Sequence, residues 1–167
     1  PIPAGSEQIG QLARTGHIPM GYYKDEEKTA KTFPTDAGGR RWSVPGDSAS
    51  VDADGIVTLL GRGSQCINTG GEKVFPEEVE EALRAHPAIL DAVVAGQKDD
   101  RWGERVIGIV SLRAGQSAPD EGALKAFLTE RLAGYKVPKA FVWVDAVKRS
   151  PAGKQDYRWA KEVAGQA

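Results

Sequence analysis

The sequence predicts an α+β fold in which a small sheet is covered by helices and a mostly β segment comes first. Two observations carry this prediction. After Pro76 the apolar pattern gives the order helix, strand, strand, helix, strand. Earlier in the chain, a turn sequence at 52–55 separates two short β-like runs, as in a hairpin. The glycine-rich stretch that begins at Gly61 lies between the two regions, and we interpret it as a joint between two domains.

The first region is predicted to hold short elements. The runs 9–15 and 41–44 read as strands, and 25–33 has the pattern of a short helix with Asp25 as its N-cap. The run 48–51 is predicted to pair with 56–60 across Asp52-Ala53-Asp54-Gly55, which is a typical turn sequence. Asp47 stands beside the preceding turn, and spacing alone favours a role in bonding the amides of that turn.

The second region is predicted to begin with a helix at Pro76. Proline fits the first helical turn, and Glu77 and Glu78 place negative charge at the positive end of the helix dipole. An apolar stripe follows at helical spacing, formed by Val79, Ala82, Leu83 and His86. The runs 89–96, 105–112 and 141–147 are rich in β formers, whereas 119–132 and 157–163 are predicted to be helical.

The amino-acid composition limits the classes of function that the chain can have. The chain has 167 residues and 40% hydrophobic content, enough to bury a core. With 22 Lys+Arg against 23 Asp+Glu, no global field favours nucleic acid, and we expect no such partner. The single cysteine, Cys66, excludes an internal disulfide. No apolar run approaches a membrane span and no signal peptide is visible, so we expect a cytoplasmic location, no transmembrane segment and no metal ligands.

Four motifs in order resemble the C-terminal part of adenylate-forming enzymes. They are Gly46-Asp47, Gly61-Arg62, GGEKVFPEEVE at 70–80 and SPAGK at 150–154. Within this AMP-binding superfamily the chain looks most like a bacterial fatty-acyl-CoA synthetase, and the resemblance runs over nearly the whole sequence. It implies that 1–63 is the mostly β C-terminal remnant of the large N-terminal, AMP-binding domain. It also implies that 64–167 is the mobile C-terminal α+β domain.

The resemblance implies binding roles for five residues. Asp47 and Arg62 match the pair that binds the ribose of ATP or AMP, which suits a carboxylate acceptor and a guanidinium donor. Gly70 and Gly71 match the glycines along the pantetheine path of coenzyme A, where side chains would block the passage. Ser64 matches the hinge between the two domains. Family members often carry Asp or Lys at that position, so Ser64 departs from the commoner pattern.

Lys154 matches the catalytic lysine of adenylate formation. The family reaction implied by the resemblance joins a carboxylic acid, here a fatty acid, to ATP and then transfers the acyl group to coenzyme A. The lysine ammonium would stabilise charge on the attacking carboxylate and the α-phosphate. Mg²⁺ is expected with ATP, with ligands outside this chain. The phosphate-binding loop and the acyl pocket of the family are missing, so we expect the chain to be an inactive fragment. A homodimer is a possible oligomeric state.

Two alternatives remain. The chain is either part of another adenylate-forming enzyme, such as a peptide-synthetase adenylation domain or a luciferase-like enzyme, or a non-catalytic module that binds nucleotide or coenzyme A. No carrier-protein sequence follows Ala167, which favours a free-standing ligase over the first alternative. Asp47, Arg62 and Lys154 occur together, which argues against the second, because a sensor does not need the adenylation lysine.

Overall fold

The chain folds into two compact units, Pro1–Ser64 and Gln65–Ala167, in a computed structural model that describes residues 1–6 and 8–167. In the first unit the described elements are β1 (Gly10–Gln11), α1 (Glu26–Thr32), β2 (Asp47–Val51) and β3 (Val57–Arg62). In the second they are β4 (Ile67–Thr69), β5 (Glu72–Val74), α2 (Pro76–Arg84), β6 (Ile89–Asp99), β7 (Gly103–Leu112), α3 (Glu121–Thr129), β8 (Ala140–Trp143) and α4 (Tyr157–Ala164). This set of helices and strands confirms the α+β fold class.

The first unit is built on an antiparallel sheet with the strand order β1-β2-β3. The predicted hairpin is confirmed, and its turn is closed by Asp52, whose Oδ1 accepts hydrogen bonds from the amides of Asp54 at 3.0 Å and Ile56 at 2.8 Å. The predicted helix cap is also confirmed. The Asp25 side chain accepts a hydrogen bond from the Lys28 amide at 3.0 Å, which satisfies a donor that the first turn of α1 leaves unpaired.

The strand predicted at 41–44 is wrong. This segment forms only isolated bridges, because the Asp36 carboxylate folds the chain into a tight loop just before it. Asp36 accepts hydrogen bonds from the amides of Gly38 and Arg40 and from the Trp42 indole, each at 2.9 Å. The run predicted at 9–15 is likewise shorter in the structure, where only the two residues of β1 form a strand.

The second unit is a five-stranded sheet with helices on both faces. Its strand order is β5-β4-β7-β6, and β8 pairs with β7 in the parallel direction. Side chains alternate along β6, so Ala92 and Val94 face one core cluster and Val93 and Ala95 face the other. Residues of α2 and α3 fill the first cluster, and residues of α4 fill the second. The predicted small sheet covered by helices is therefore confirmed.

Helix α2 begins at Pro76, as predicted from its first turn. Val79 and Leu83 of the predicted stripe are fully buried, whereas His86 lies beyond the end of the helix. Glu80 is also fully buried, which the sequence pattern does not predict. The strands β4 and β5 are also not predicted from the sequence. Each has three residues, which is too short for an alternating apolar pattern to be recognised.

Candidate functional site

The β2–β3 hairpin brings Asp47 and Arg62 together. The two residues are direct partners in the strand register, Asp47 at the start of β2 and Arg62 at the end of β3. Arg62 Nε lies 3.6 Å from Asp47 Oδ1, and the two side chains are 62% and 32% exposed. Asp47 therefore faces Arg62 across the hairpin, in contrast to the turn role that spacing alone favours. The pair presents a carboxylate acceptor beside a guanidinium donor, a combination that can form hydrogen bonds with the hydroxyls of a sugar.

Ser64 is the last residue of the first unit and is exposed. It lies in a single 3-10 turn, Gly63–Gln65. Just before this turn, Gly61 has a φ of +109°, a backbone conformation that side chains other than glycine rarely adopt. The hinge role of Ser64 stays a prediction.

Gly70 and Gly71 form the turn of the β4–β5 hairpin, with φ values of +59° and +88°. The Gly70 amide donates a hydrogen bond to the Trp102 carbonyl at 2.8 Å, and a Cβ on Gly70 would lie 2.9 Å from Trp102 Cε3. A Cβ on Gly71 would meet nothing within 4 Å. The two glycines thus differ, because Gly70 leaves room for the partly exposed Trp102 indole whereas Gly71 borders open space. Their role along a pantetheine path stays a prediction.

Lys154 lies in an exposed turn between β8 and α4, which we call the Lys154 turn (residues 149–155). The Ser150 amide donates to the Lys154 carbonyl, and the Gly153 amide donates to the Ser150 carbonyl, both at 2.8 Å. Ser150 Oγ accepts a further hydrogen bond from the Lys154 amide at 3.2 Å. Within residues 1–6 and 8–167, no hydrogen bond or ion pair engages the Lys154 ammonium. The amine is therefore open to a ligand.

Arg149 anchors one side of the Lys154 turn. Its guanidinium forms a two-pronged ion pair with Asp91 of β6, with distances of 2.8 Å from Nε to Oδ2 and 2.7 Å from Nη2 to Oδ1. Its Nη1 also donates to the Gly153 carbonyl at 2.8 Å. Burial raises the pKa of the Asp91 carboxyl, but the Arg149 hydrogen bond and the other contacts outweigh burial, so the net pKa is lowered. Asp91 is therefore charged at neutral pH.

Glu80 anchors the other side of the Lys154 turn. Its Oε2 accepts a hydrogen bond from Gln155 Nε2 at 2.9 Å, and its Oε1 accepts from the Tyr157 hydroxyl at 3.2 Å and the Val94 amide at 3.0 Å. Arg84 Nη1 lies 3.8 Å from Oε2. Burial raises the pKa of Glu80 to about 7, and the Val94 hydrogen bond opposes this rise.

Glu80, Arg149 and Asp91 are functional residues that the sequence motifs do not single out. A signal for Glu80 does exist in the sequence, because it lies four residues after Pro76 and three before Leu83, on the flank of the apolar stripe of α2. An acidic residue in that position has to find partners on a neighbouring element. For Arg149 and Asp91 the sequence carries no comparable signal.

The described residues supply neither a metal site nor a membrane-spanning helix. Among residues 1–6 and 8–167, no group of three or more His, Cys, Asp or Glu is arranged to hold a metal ion. The helices in this part of the chain are all too short or too polar to cross a membrane. Cys66 is a free, half-buried thiol, and burial raises its pKa.

Comparison with known proteins identifies the family. Residues 78–154 match the model of the AMP-binding enzyme C-terminal domain. The chain is 58% identical over 166 residues to a 3-oxocholest-4-en-26-oate–CoA ligase from Rhodococcus rhodochrous, covering 99% of this chain and 29% of that protein. It is 55% identical over 161 residues to a medium/long-chain-fatty-acid–CoA/3-oxocholest-4-en-26-oate–CoA ligase from Mycobacterium tuberculosis, covering 96% of this chain and 29% of that protein. The chain thus spans about 29% of the length of these curated relatives.

Solved structures agree with this family in fold. The structure of o-succinylbenzoate CoA synthetase from Bacillus subtilis with its acyl-adenylate intermediate matches with a TM-score of 0.82 and 29% identity, covering 93% of this chain and 31% of that one. ATP-bound MatB from Rhodopseudomonas palustris matches with a TM-score of 0.80 and 30% identity, covering 97% of this chain and 31% of that one. The chain therefore belongs to the AMP-binding, adenylate-forming enzyme family and corresponds to the C-terminal portion of its acyl-CoA ligase members.

Proposed function

We propose that the protein containing this chain is an ATP-dependent acyl-CoA ligase. In the first half-reaction a carboxylate oxygen attacks the α-phosphorus of ATP, and the bond to pyrophosphate breaks to leave an acyl adenylate. In the second, the sulfur of coenzyme A gives up its proton and attacks the acyl carbon, and the bond to AMP breaks. The observation that carries the proposal is the open ammonium of Lys154, in a chain 58% identical to a CoA ligase.

The proposal assigns Lys154 to the first half-reaction. Negative charge grows on the oxygens between the carboxylate and the α-phosphorus as the new bond forms, and a nearby ammonium stabilises it. Asp47 would accept hydrogen bonds from the ribose hydroxyls, and Arg62 would donate to the ribose or phosphate oxygens. On this proposal, 1–63 is the end of the large AMP-binding domain, and 64–167 is the mobile C-terminal domain.

The second half-reaction involves the other predicted residues. Gly71 borders open space along which a thin pantetheine arm would pass, and Gly70 would keep the Trp102 indole beside that space. Ser64 would be the hinge at which the mobile domain turns between the two half-reactions. Mg²⁺ would accompany ATP, but the described residues do not form a metal site of their own. Its ligands would then include the phosphates of ATP, as is common for Mg²⁺.

The acid substrate is proposed from the relatives. One is named as a ligase of medium- and long-chain fatty acids and of 3-oxocholest-4-en-26-oate, and another as a ligase of 3-oxocholest-4-en-26-oate. We therefore propose a fatty acid as the first substrate to assay and the steroid acid as the second. A homodimer remains a prediction, and light scattering over a range of protein concentrations tests it.

The test is a comparison of two lysine variants in the whole protein. Lys154→Ala should lower pyrophosphate release by about 100-fold or more, because it removes a charge that stabilises the transition state. It should leave transfer from a preformed acyl adenylate to coenzyme A nearly unchanged. Lys148→Ala is the matched control, since Lys148 is also exposed and lies near the same turn. If Lys154→Ala spared adenylate formation and impaired transfer instead, the assigned role would be wrong.

The alternatives give different outcomes in the same assays. A carrier-dependent adenylation enzyme would load a pantetheinyl carrier protein in preference to free coenzyme A. A non-catalytic module would bind AMP or coenzyme A in calorimetry without releasing pyrophosphate. The isolated 167-residue chain is expected to show no turnover with acid and ATP. Robust turnover by this chain alone would contradict the proposal that it is the C-terminal part of a larger enzyme.

A further inference from the structure

The backbone of the Lys154 turn is anchored on both sides of the lysine. On the amino side, Arg149 donates to the Gly153 carbonyl and is itself paired with Asp91 on β6. On the carboxyl side, the Gln155 side chain donates to the buried Glu80 on α2. Both neighbours of Lys154 in the chain are thus attached to regular elements of the second unit, whereas its own ammonium remains exposed.

Glu80 is an unusual anchor because it is completely buried. Taking a carboxylate out of water is costly unless donors surround it, and an apolar residue would fill the same space more cheaply. Two of its donors, Gln155 and Tyr157, come from the chain immediately after Lys154. The third is the amide of Val94 on β6, at the edge of the sheet, where no further strand of the described residues pairs with it.

We propose that Glu80 is a positioning residue for Lys154, fixing the Lys154 turn through its hydrogen bonds to Gln155 and Tyr157. This inference rests on the proposed role of Lys154 in adenylate formation. A lysine side chain is long and flexible, so its ammonium reaches a defined point only when its backbone is fixed. Misplacement of a reacting group by about 1 Å costs on the order of 100-fold in rate.

A purely structural role for Glu80 is the competing explanation. In that role Glu80 would only accept the hydrogen bond from the Val94 amide of β6 and so join α2 to the sheet. Loss of its contacts would then weaken the whole unit and impair both half-reactions together. A positioning role instead predicts that loosening the Lys154 turn affects the half-reaction that uses Lys154 and spares the other. The two roles are therefore separable by experiment.

The first measurement uses hydrogen exchange in the 167-residue chain and does not depend on any activity. Gln155 is half-buried, and Gln155→Ala removes its side-chain hydrogen bond to Glu80 while leaving Glu80 itself unchanged. The amides of 150–156 should exchange faster in this variant, with β6 and β7 unchanged. Gln116→Ala is the matched control, because Gln116 is an exposed glutamine in the turn after β7, outside the Lys154 turn. Unchanged exchange at 150–156 in Gln155→Ala would overturn the proposal.

The second measurement separates the half-reactions in the whole protein. Gln155→Ala should lower kcat for adenylate formation by about 10-fold or more with little change in the KM for ATP, and should spare transfer to coenzyme A. Glu80→Ala should have the same effect if it folds, and Glu80→Gln, which keeps an acceptor oxygen, should restore most of the rate. Equal loss in both half-reactions would establish the structural role instead. If Lys154→Ala left adenylate formation intact while exchange at 150–156 still responded, the proposed function would fail and this inference with it.

Discussion

Glu80→Gln should flatten the dependence of the stability of the second unit on pH. The wild-type carboxyl has a pKa of about 7 in the folded protein, because burial disfavours its charged form, against an ordinary value of 4.5. Between these pH values the folded state holds a proton that the unfolded chain has already lost. The stabilising contribution of the Glu80 proton to the free energy of unfolding is therefore fully present below pH 4.5, and it is lost as the pH rises through 7. The glutamine amide does not titrate.

The size of the effect follows from the two pKa values. Their difference corresponds to about 3 kcal/mol in the free energy of unfolding. Between about pH 5 and pH 8, the free energy of unfolding of Glu80→Gln should therefore rise by up to about 3 kcal/mol relative to that of the wild type. Titration of groups that do not interact with Glu80 cancels in this comparison, and a constant offset from the new amide does not affect the slope.

Urea unfolding at several pH values measures this difference. Two-dimensional NMR signals from β6 and β7 should be used, so that the second unit is followed separately from the first. Glu81→Gln is the control, because Glu81 is the neighbouring residue of α2 and is exposed, so its substitution should leave the pH slope unchanged. If Glu80→Gln and the wild type run parallel over this range, Glu80 does not have the raised pKa, and the reasoning from its burial is refuted.

Two further pairs of substitutions test the packing of the second unit. Gly70→Ala should destabilise by about 1–3 kcal/mol, because its φ of +59° is unfavourable for alanine and the new Cβ would meet Trp102. Gly71→Ala shares the positive φ but meets no atom, so urea unfolding should give it the smaller loss, and equal losses would argue against the indole contact. Leu83→Ala should cost about 2–5 kcal/mol because Leu83 is fully buried. Leu90→Ala, at a residue 54% exposed, should cost about 0.5 kcal/mol or less in the same thermal or urea measurement.

The elements that could be predicted from the sequence are those that local chemistry determines. Pro76 and the acidic residues after it define the start of α2, and the turn at Asp52 defines the β2–β3 hairpin. The strand prediction for 41–44 is wrong because the conformation of this segment depends on residues outside it. Asp36 closes a tight loop just before the segment, and the amides of 42–44 bond to the carbonyls of Pro34, Arg14 and Thr32, which do not belong to one partner strand.

The candidate site likewise contains residues that sequence motifs identify and residues that only the folded structure brings together. Asp47 and Arg62 were singled out by motif, and the strand register then makes them neighbours. The anchors of the Lys154 turn could not be predicted, because each joins residues distant in sequence. Glu80 and Gln155 are 75 positions apart, and no helical or strand period relates them. Their contact exists only once α2 and the chain after β8 pack on the same sheet.

The two carboxylates that anchor the Lys154 turn are both held by other partners, so on the proposed role of Lys154 neither of them competes with the substrate for its ammonium. Asp91 is engaged by both prongs of Arg149, and Glu80 is enclosed by Gln155, Tyr157 and the sheet edge. A free carboxylate beside the turn would pair with the lysine and would have to be displaced before a phosphate could bind. Neutralising Arg149 should therefore both loosen the turn and release Asp91 as a rival acceptor. Arg149→Ala should consequently raise the KM for ATP as well as lower kcat, whereas Gln155→Ala should lower kcat alone, and identical kinetic profiles would contradict this distinction.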